Sequence, residues 1–162
     1  GNTICFTATI LIWNMITDRS RISIYNYLSD LFSSVSKNIY AMEVPTDNTQ
    51  DDTTNGFIVT KVGDLKDESE FDSDCYGLAR CYVTAYVPKA TRGRLNKKLY
   101  ATFENGINDV IKANTGRLTE GGYYIMEDSV LSMDDSEHSQ KGNQYHVFVK
   151  SFVVIIDQTS NS

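Results

Sequence analysis

The hydrophobic positions between residues 94 and 113 recur every three or four residues, which predicts a long amphipathic helix. Polar and charged residues fill most of the other positions. The apolar positions are Leu95, Leu99, Phe103, Ile107 and Val110, with Tyr100 and Ile111 beside them. Because an apolar stripe alone does not hold a helix of about five turns in water, this helix needs a partner surface.

The segments on either side of this helix alternate apolar and polar residues with a period of two, as half-buried strands do. The pattern predicts strands at 39–44, 57–62, 76–87, 123–133 and 145–156. In the strand at 76–87 the odd-numbered residues are small or β-branched, whereas three tyrosines occupy even-numbered positions. Since small side chains let a helix approach closely, we expect the odd-numbered face to meet the long helix.

The N-terminal part of the chain predicts one or two further helices. Residues 22–35 carry apolar side chains at helical spacing, and their helix is the clearer of the two. The apolar residues at 4–16 fit a helix or a strand, and we favour a helix. This segment is too short to span a bilayer. A signal peptide removed from a position upstream stays open as an alternative.

These elements together predict a single α+β domain over residues 1–162. We expect a mostly antiparallel sheet of about five strands, packed against one long central helix and one or two N-terminal helices. Residues 46–55 and 63–74 are predicted to be acidic loops, and 134–143 a polar turn joining the last two strands as a hairpin. The apolar residues at 1–18 are an addition to this core, and 158–162 is predicted to be a disordered tail.

The net charge of −6 argues against binding of nucleic acid through the whole surface. The charge is unevenly distributed. Residues 43–74 hold ten acids and two lysines, whereas residues 75–103 hold six cations and no acid. The cations that cluster at the start of the long helix are Arg92, Arg94, Lys97 and Lys98.

Cations at a helix N-terminus oppose the helix dipole, by a few tenths of a kcal/mol each. An anionic partner accounts for them better than local stability does. DNA phosphate, an acidic loop of the same chain and an acidic loop of a neighbouring subunit are the candidates, and a solvated basic face is the plain alternative. For a neighbouring subunit the candidate acidic contacts are Asp64, Asp67, Glu68 and Glu70.

No catalytic, cofactor or metal motif is recognisable, so we expect no enzyme activity and no cofactor. A Cys81–His146 pair is conceivable, but a packed cysteine and an ordinary strand histidine are the favoured reading. The acidic residues at 47–52 and 134–138 resemble fragments of metal-binding loops. The glycine and closing glutamate of a calcium loop are missing at 47–52, which favours a solvated turn.

Four features span residues 22–157: the helix at 22–35 with a strand ending NIYAMEVP, the long strand, the helix containing LYATFENGINDVI, and a hairpin ending FVVIID. Their order resembles that of the tail terminator, or tail completion, proteins of long-tailed phages. The resemblance is one of pattern and length, because that family has no diagnostic residue motif. The extra residues at 2–18 and the long acidic loops depart from it.

The resemblance implies a non-enzymatic phage or prophage protein that forms a hexameric ring. Such a ring stops growth of the tail tube and joins the tail to the head. The implied partners are further copies of the chain and other tail or head-completion proteins, with no specific nucleic acid and no membrane. The implied location is the virion, or the host cytoplasm during assembly.

Two other functions compete with this one. A secreted or cell-surface bacterial binding protein would use the tyrosines Tyr76, Tyr82 and Tyr86 as its contact surface. The plain alternative is that these tyrosines pack under the first helix. An enzyme with a site that the sequence does not reveal is the third possibility.

Overall fold

The computed structural model describes residues 21–67, 76–116, 122–134 and 144–157. The helices are α1 (residues 21–32), α2 (Gln50–Asn55) and α3 (Lys97–Asn114), with a 3₁₀ turn at Thr91–Gly93. The strands are β1 (Ile39–Ala41), β2 (Phe57–Asp67), β3 (Tyr76–Pro88), β4 (Tyr123–Ile125), β5 (Leu131–Asp134) and β6 (Tyr145–Asp157). The predicted segments at 1–18 and 158–162 lie outside the described residues, as do 68–75 and 135–143.

The described strands form one six-stranded sheet in the order β1-β2-β3-β6-β4, with β5 also paired to β6. The pairs β2–β3, β3–β6, β4–β6 and β5–β6 are antiparallel, whereas β1 and β2 are parallel. The predicted α+β class is therefore confirmed, but the sheet is mixed and larger than expected. The parallel pair arises because α2 lies between β1 and β2 and returns the chain to the start of the sheet.

The prediction of one continuous strand at 123–133 is wrong. The hydroxyl of Ser129 accepts a hydrogen bond from Val153 N at 3.1 Å and donates one to Met126 O at 2.6 Å. Asp128 adopts a positive φ of 58° in the turn before it. Side-chain bonds thus replace the strand pairing at this point, and the chain continues as two short strands, β4 and β5.

The predicted loop at 46–55 is also wrong in part, because it contains α2. Thr49 and Asp52 form a capping box: the Thr49 hydroxyl accepts from Asp52 N at 3.1 Å, and Thr49 N donates to the Asp52 carboxylate at 3.1 Å. The predicted loop at 63–74 begins as strand, since β2 runs to Asp67 after a register shift beyond Val62. These loops are therefore shorter than expected.

The long helix packs on the sheet face that the sequence predicts. Phe103, Ile107 and Ile111 of α3 are buried in one cluster with the odd-numbered side chains of β3 and with α1. Leu95 does not belong to the stripe, because it precedes α3 and is 40% exposed. A Cβ on Gly106 would lie 3.2 Å from a methyl group of Val35, so this glycine lets the end of α1 approach α3 closely.

The opposite face of the sheet, here called the open face, carries a separate aromatic cluster. Phe57 stacks on Tyr86 with ring centroids 4.5 Å apart, and Tyr145 meets the Phe57 ring edge-on at 5.4 Å. Tyr40 and Val44 pack beside these rings. The sheet therefore has one face covered by α1 and α3, and a second face with aromatic packing at one end.

Candidate functional site

The first candidate surface is the basic connector, which we define as Lys89–Lys98. The chain leaves β3 at Pro88, and two hydrogen bonds fold the connector back on itself: Ala90 N donates to Arg94 O at 2.7 Å, and Gly93 N donates to Ala90 O at 3.1 Å. Arg92 adopts a positive φ of 63° within this turn. The local backbone thus presents several cations together at the start of α3.

The predicted cations of the basic connector are all exposed, and none forms an ion pair with a described residue. The first turn of α3 contains no acidic residue. Its N-cap is neutral, because Asn96 accepts the hydrogen bond from Leu99 N at 3.2 Å. Nothing local therefore offsets the unfavourable placement of Lys97 and Lys98 against the helix dipole.

The two described acidic candidates, Asp64 and Asp67, lie in the second half of β2. The structure describes both as backbone positions within this strand. Glu68 and Glu70 lie outside the described residues. Asp67 pairs with Gly77, eleven residues before Pro88 on the same strand β3. At strand rise this separates Asp67 from the basic connector by about 36 Å. A contact between Asp67 and the basic connector of the same chain is therefore excluded.

The second candidate surface is a cleft of about 830 Å³ on the open face. Its floor is mainly apolar, and among the lining residues that the structure describes three are cations and none is an acid. The lining residues are Arg21, Met42, Val44, Val59, Lys61, Val62, Gly63, Arg80, Tyr82, Thr84, Tyr86, Met133 and Val149. The cleft therefore combines the apolar surface and the single sign of charge that suit an amphipathic anionic partner.

Hydrogen bonds hold two of the three cations of the cleft. The Arg80 guanidinium donates through Nη1 to Ser129 O at 2.9 Å and to the Ser151 hydroxyl at 3.2 Å. Arg21 donates through Nη1 to Val62 O at 3.3 Å. Lys61 is exposed. No acidic side chain among the described residues pairs with these cations.

The tyrosines proposed as contact residues divide into two groups. Tyr82 and Tyr86 line the cleft on the open face, so neither packs under α1. The first helix, predicted at 4–16, lies outside the described residues, and packing beneath it stays a prediction. Tyr86 is 1% exposed and serves the aromatic cluster, whereas Tyr82 is half-buried and borders the cleft. The side chain of Tyr76 lies outside the described part of the chain.

The acidic residues at 51 and 52 have structural roles rather than metal-binding geometry. Asp52 is fully buried and accepts hydrogen bonds from the Tyr40 hydroxyl at 2.9 and 2.8 Å. This bond raises the pKa of Tyr40 to about 12. Asp51 accepts from Asn38 and Asn55, and these bonds lower the pKa of its carboxyl group. No group of three His, Cys, Asp or Glu side chains in the described ranges could hold a metal ion.

The conceivable Cys81–His146 pair is excluded by the strand register. Cys81 pairs with Phe152, whereas His146 pairs with Val87, six residues further along β3. The separation is about 20 Å at strand rise. Burial raises the pKa of the Cys81 thiol to about 12, which disfavours the reactive thiolate.

The sequence interpretation missed the cleft cations as a group. Arg80 and Tyr82 share a face of β3 by the period-two rule, and this signal was available. Lys61 lies directly opposite Tyr82, but that relationship depends on the β2–β3 register. Arg21 joins them only through the placement of α1 against β2, which the sequence pattern does not contain.

No protein-family model matches the chain, and no curated protein matches its sequence. Across the described residues, none of the helices combines the length and the apolar character that crossing a membrane requires.

Proposed function

We propose that this chain is a non-enzymatic structural subunit that assembles head to tail into a closed ring. The observation that carries the proposal is the separation of charge along the sheet. The basic connector lies at one end of β3, and Asp67 lies beside the other end, about 36 Å away. Opposite charges that cannot meet within one chain can meet between copies, and repeated heterologous contacts of this kind close into rings when the rotation permits.

The element order supports a specific form of this proposal, a ring of the phage tail-terminator type. An N-terminal helix, a long hairpin of β2 and β3, a central helix and closing strands paired with β6 follow the order on which the resemblance rests. In this proposal the ring is hexameric and belongs to a phage or prophage. It ends the tail tube or occupies the head–tail junction, and its partners are tail or head-completion proteins.

Charge reversal in the basic connector tests this contact. Lys97→Glu combined with Lys98→Glu should leave the far-UV circular dichroism spectrum unchanged, because both side chains are exposed and contact no described partner. Sedimentation velocity should show loss of the assembled species. The matched control reverses two exposed lysines elsewhere, Lys37→Glu with Lys112→Glu, and should retain assembly. If the Lys97/Lys98 variant assembles as the wild type does, the connector is not a subunit contact.

A second candidate function is favoured by the cleft on the open face. A bacterial surface or secreted binding module would use this cleft, with Tyr82 at its border, as the contact for another molecule. Aromatic side chains combined with adaptable methionines are common at such contacts. Monomeric protein that binds a ligand through the cleft would favour this function over the ring.

A further inference from the structure

The three cations of the cleft come from two neighbouring strands and the start of α1. Lys61 lies directly opposite Tyr82 in the β2–β3 pair, and Arg80 is two residues from Tyr82 on the same face. Arg21 is anchored to Val62 O, the residue next to Lys61. A Cβ on Gly63 would lie 3.0 Å from Arg80 O, so glycine at this position lets β2 and β3 approach closely. Three positive charges therefore line one cleft, with Arg21 and Lys61 at β2 and the Arg80 guanidinium directed towards β6.

Among the described residues, the two guanidinium groups of the cleft have hydrogen-bond donors without a partner. Each is held by Nη1 alone, and their other nitrogens have no hydrogen-bond partner within the described ranges. Both arginines are half-buried, so solvent screens their charge less than it screens a fully exposed side chain. A carboxylate would accept these unused donors in charge-assisted hydrogen bonds, and anchoring by backbone carbonyls orients the donors in advance.

The rest of the cleft is apolar and crosses the sheet. Met42 follows β1 at one edge and is 58% exposed; Met133 lies on β5 at the other edge and is 45% exposed. Val59 and Val149 lie between them. From β1 to β5 there are four strand spacings, or about 19 Å, which matches an extended segment of about six residues. Pockets for small molecules enclose most of the ligand, whereas this cleft is open along its length. Its shape therefore suits an extended peptide better than a small molecule.

We propose that this cleft binds an extended acidic peptide segment of a partner protein. Carboxylates of the segment pair with Arg21, Lys61 and Arg80, and its apolar side chains cover Val59, Val149 and the two exposed methionines. The inference names the ligand class of the open face. It rests on the second function proposed above and is independent of ring assembly, which uses the basic connector on other elements.

The test measures binding of a fluorescein-labelled peptide, DLEFDE with blocked termini, by fluorescence anisotropy at low salt. The comparison peptide is its neutral isostere, NLQFNQ. Wild-type protein should bind the acidic peptide at least tenfold more tightly than the neutral one, and the preference should shrink as salt screens the charges. Lys61→Glu should weaken acidic-peptide binding by roughly tenfold, because it reverses one of the three positive charges that line the cleft.

Control variants separate the cleft from general charge effects. Lys112→Glu makes the same charge change on α3, away from the cleft, and should change binding less than about twofold. Lys97→Glu with Lys98→Glu should also bind normally. Arg80→Gln also removes structural hydrogen bonds, so its peptide binding is interpreted only after its unfolding midpoint has been measured. The binding of Lys61→Glu alone is sufficient to decide the result.

The methionine methyl groups give a direct map of the site. On ¹³C-methyl labelling, the peptide should shift the signals of Met42 and Met133, which line the cleft, and not that of Met126, which does not. The assignment of the site would be overturned if only the Met126 signal shifted. It would also be overturned if the Lys97/Lys98 variant lost binding while Lys61→Glu kept it.

The remaining outcomes distinguish this inference from the function on which it rests. If both peptides bound the cleft equally well, the proposed preference for acidic peptides would be overturned. The open face would still be a binding surface, as the second proposed function requires. Displacement of the peptide by decanoate at equal concentration would overturn a peptide site in favour of a small amphipathic anion. Absence of binding by both peptides and by decanoate would overturn the inference and the second function together.

Discussion

The Tyr40 hydroxyl donates to the buried carboxylate of Asp52, lying 2.9 and 2.8 Å from its two oxygens. The same carboxylate accepts from Thr49 N, so one group links β1 to the first turn of α2. A buried carboxylate without its donors is strongly destabilising, because burial removes the hydration that it would have in water. This contact therefore anchors the crossover that makes β1 parallel to β2.

Tyr40→Phe should lower the free energy of unfolding by about 2 kcal/mol, because it removes a hydrogen bond to a charged, buried acceptor. The control is Tyr145→Phe, which removes a neutral hydrogen bond donated by Asn48 at 2.9 Å and should cost about 1 kcal/mol. Urea unfolding measures both. Equal losses in the two variants, or no loss in Tyr40→Phe, would contradict the role given to Asp52.

The free energy of unfolding should fall as the pH rises from about 9 towards 12. The bond to Asp52 raises the pKa of Tyr40 from 10.0 to about 12, and burial raises that of Cys81 from 9.0 to about 12. Because each pKa is higher in the folded protein, the unfolded chain releases these protons at a lower pH than the folded protein does. The two groups therefore contribute fully to the free energy of unfolding below about pH 9. Their contribution decreases as the pH rises towards the folded-state pKa of about 12.

Urea unfolding at pH 8, 10 and 11 measures this loss. In Tyr40→Phe the decline above pH 10 should be shallower, because one of the groups whose pKa the fold raises is gone. A free energy of unfolding that stays level or increases between pH 9 and 11 would show that neither shift exists.

Two glycines with positive φ should differ in their tolerance of alanine. Gly56 has a φ of 83°, and a Cβ there would lie 2.6 Å from Tyr86 O. Gly93 has a φ of 71°, and a Cβ there would meet nothing within 4 Å. Gly56→Ala should cost about 3 kcal/mol or more, from strain and overlap together, and Gly93→Ala about 1 kcal/mol from strain alone. Thermal unfolding compares them, and similar losses would contradict the close approach of α2 to β3.

The features that the sequence predicted correctly are those that one element carries by itself. The stripe around Phe103, Ile107 and Ile111 has helical spacing, and the small odd-numbered side chains of β3 mark the face that meets it. The period of such a pattern depends only on the local backbone, so it is readable without the partner element. The strands β3 and β6 are predicted correctly for the same reason.

The features that the sequence did not reveal depend on contacts between distant residues. The parallel pairing of β1 with β2 and the register that places Lys61 beside Tyr82 are set by strand association. The break between β4 and β5 depends on Ser129, whose hydroxyl meets Val153 of another strand. The helix α2 is different, because Thr49 with Asp52 is a local capping pattern that the sequence itself contains. The polar, acidic composition of 46–55 hides this pattern and favours a loop.

The central claim, assembly through opposite charges on different copies, is tested most directly by the native mass of the wild-type protein as a function of salt concentration. The account predicts a ring of hexameric mass at low salt that dissociates as salt screens the contact between the basic connector and the acidic end of β2. Light scattering coupled to size exclusion from 50 mM to 1 M salt measures it. A monomer at every salt concentration would contradict the claim.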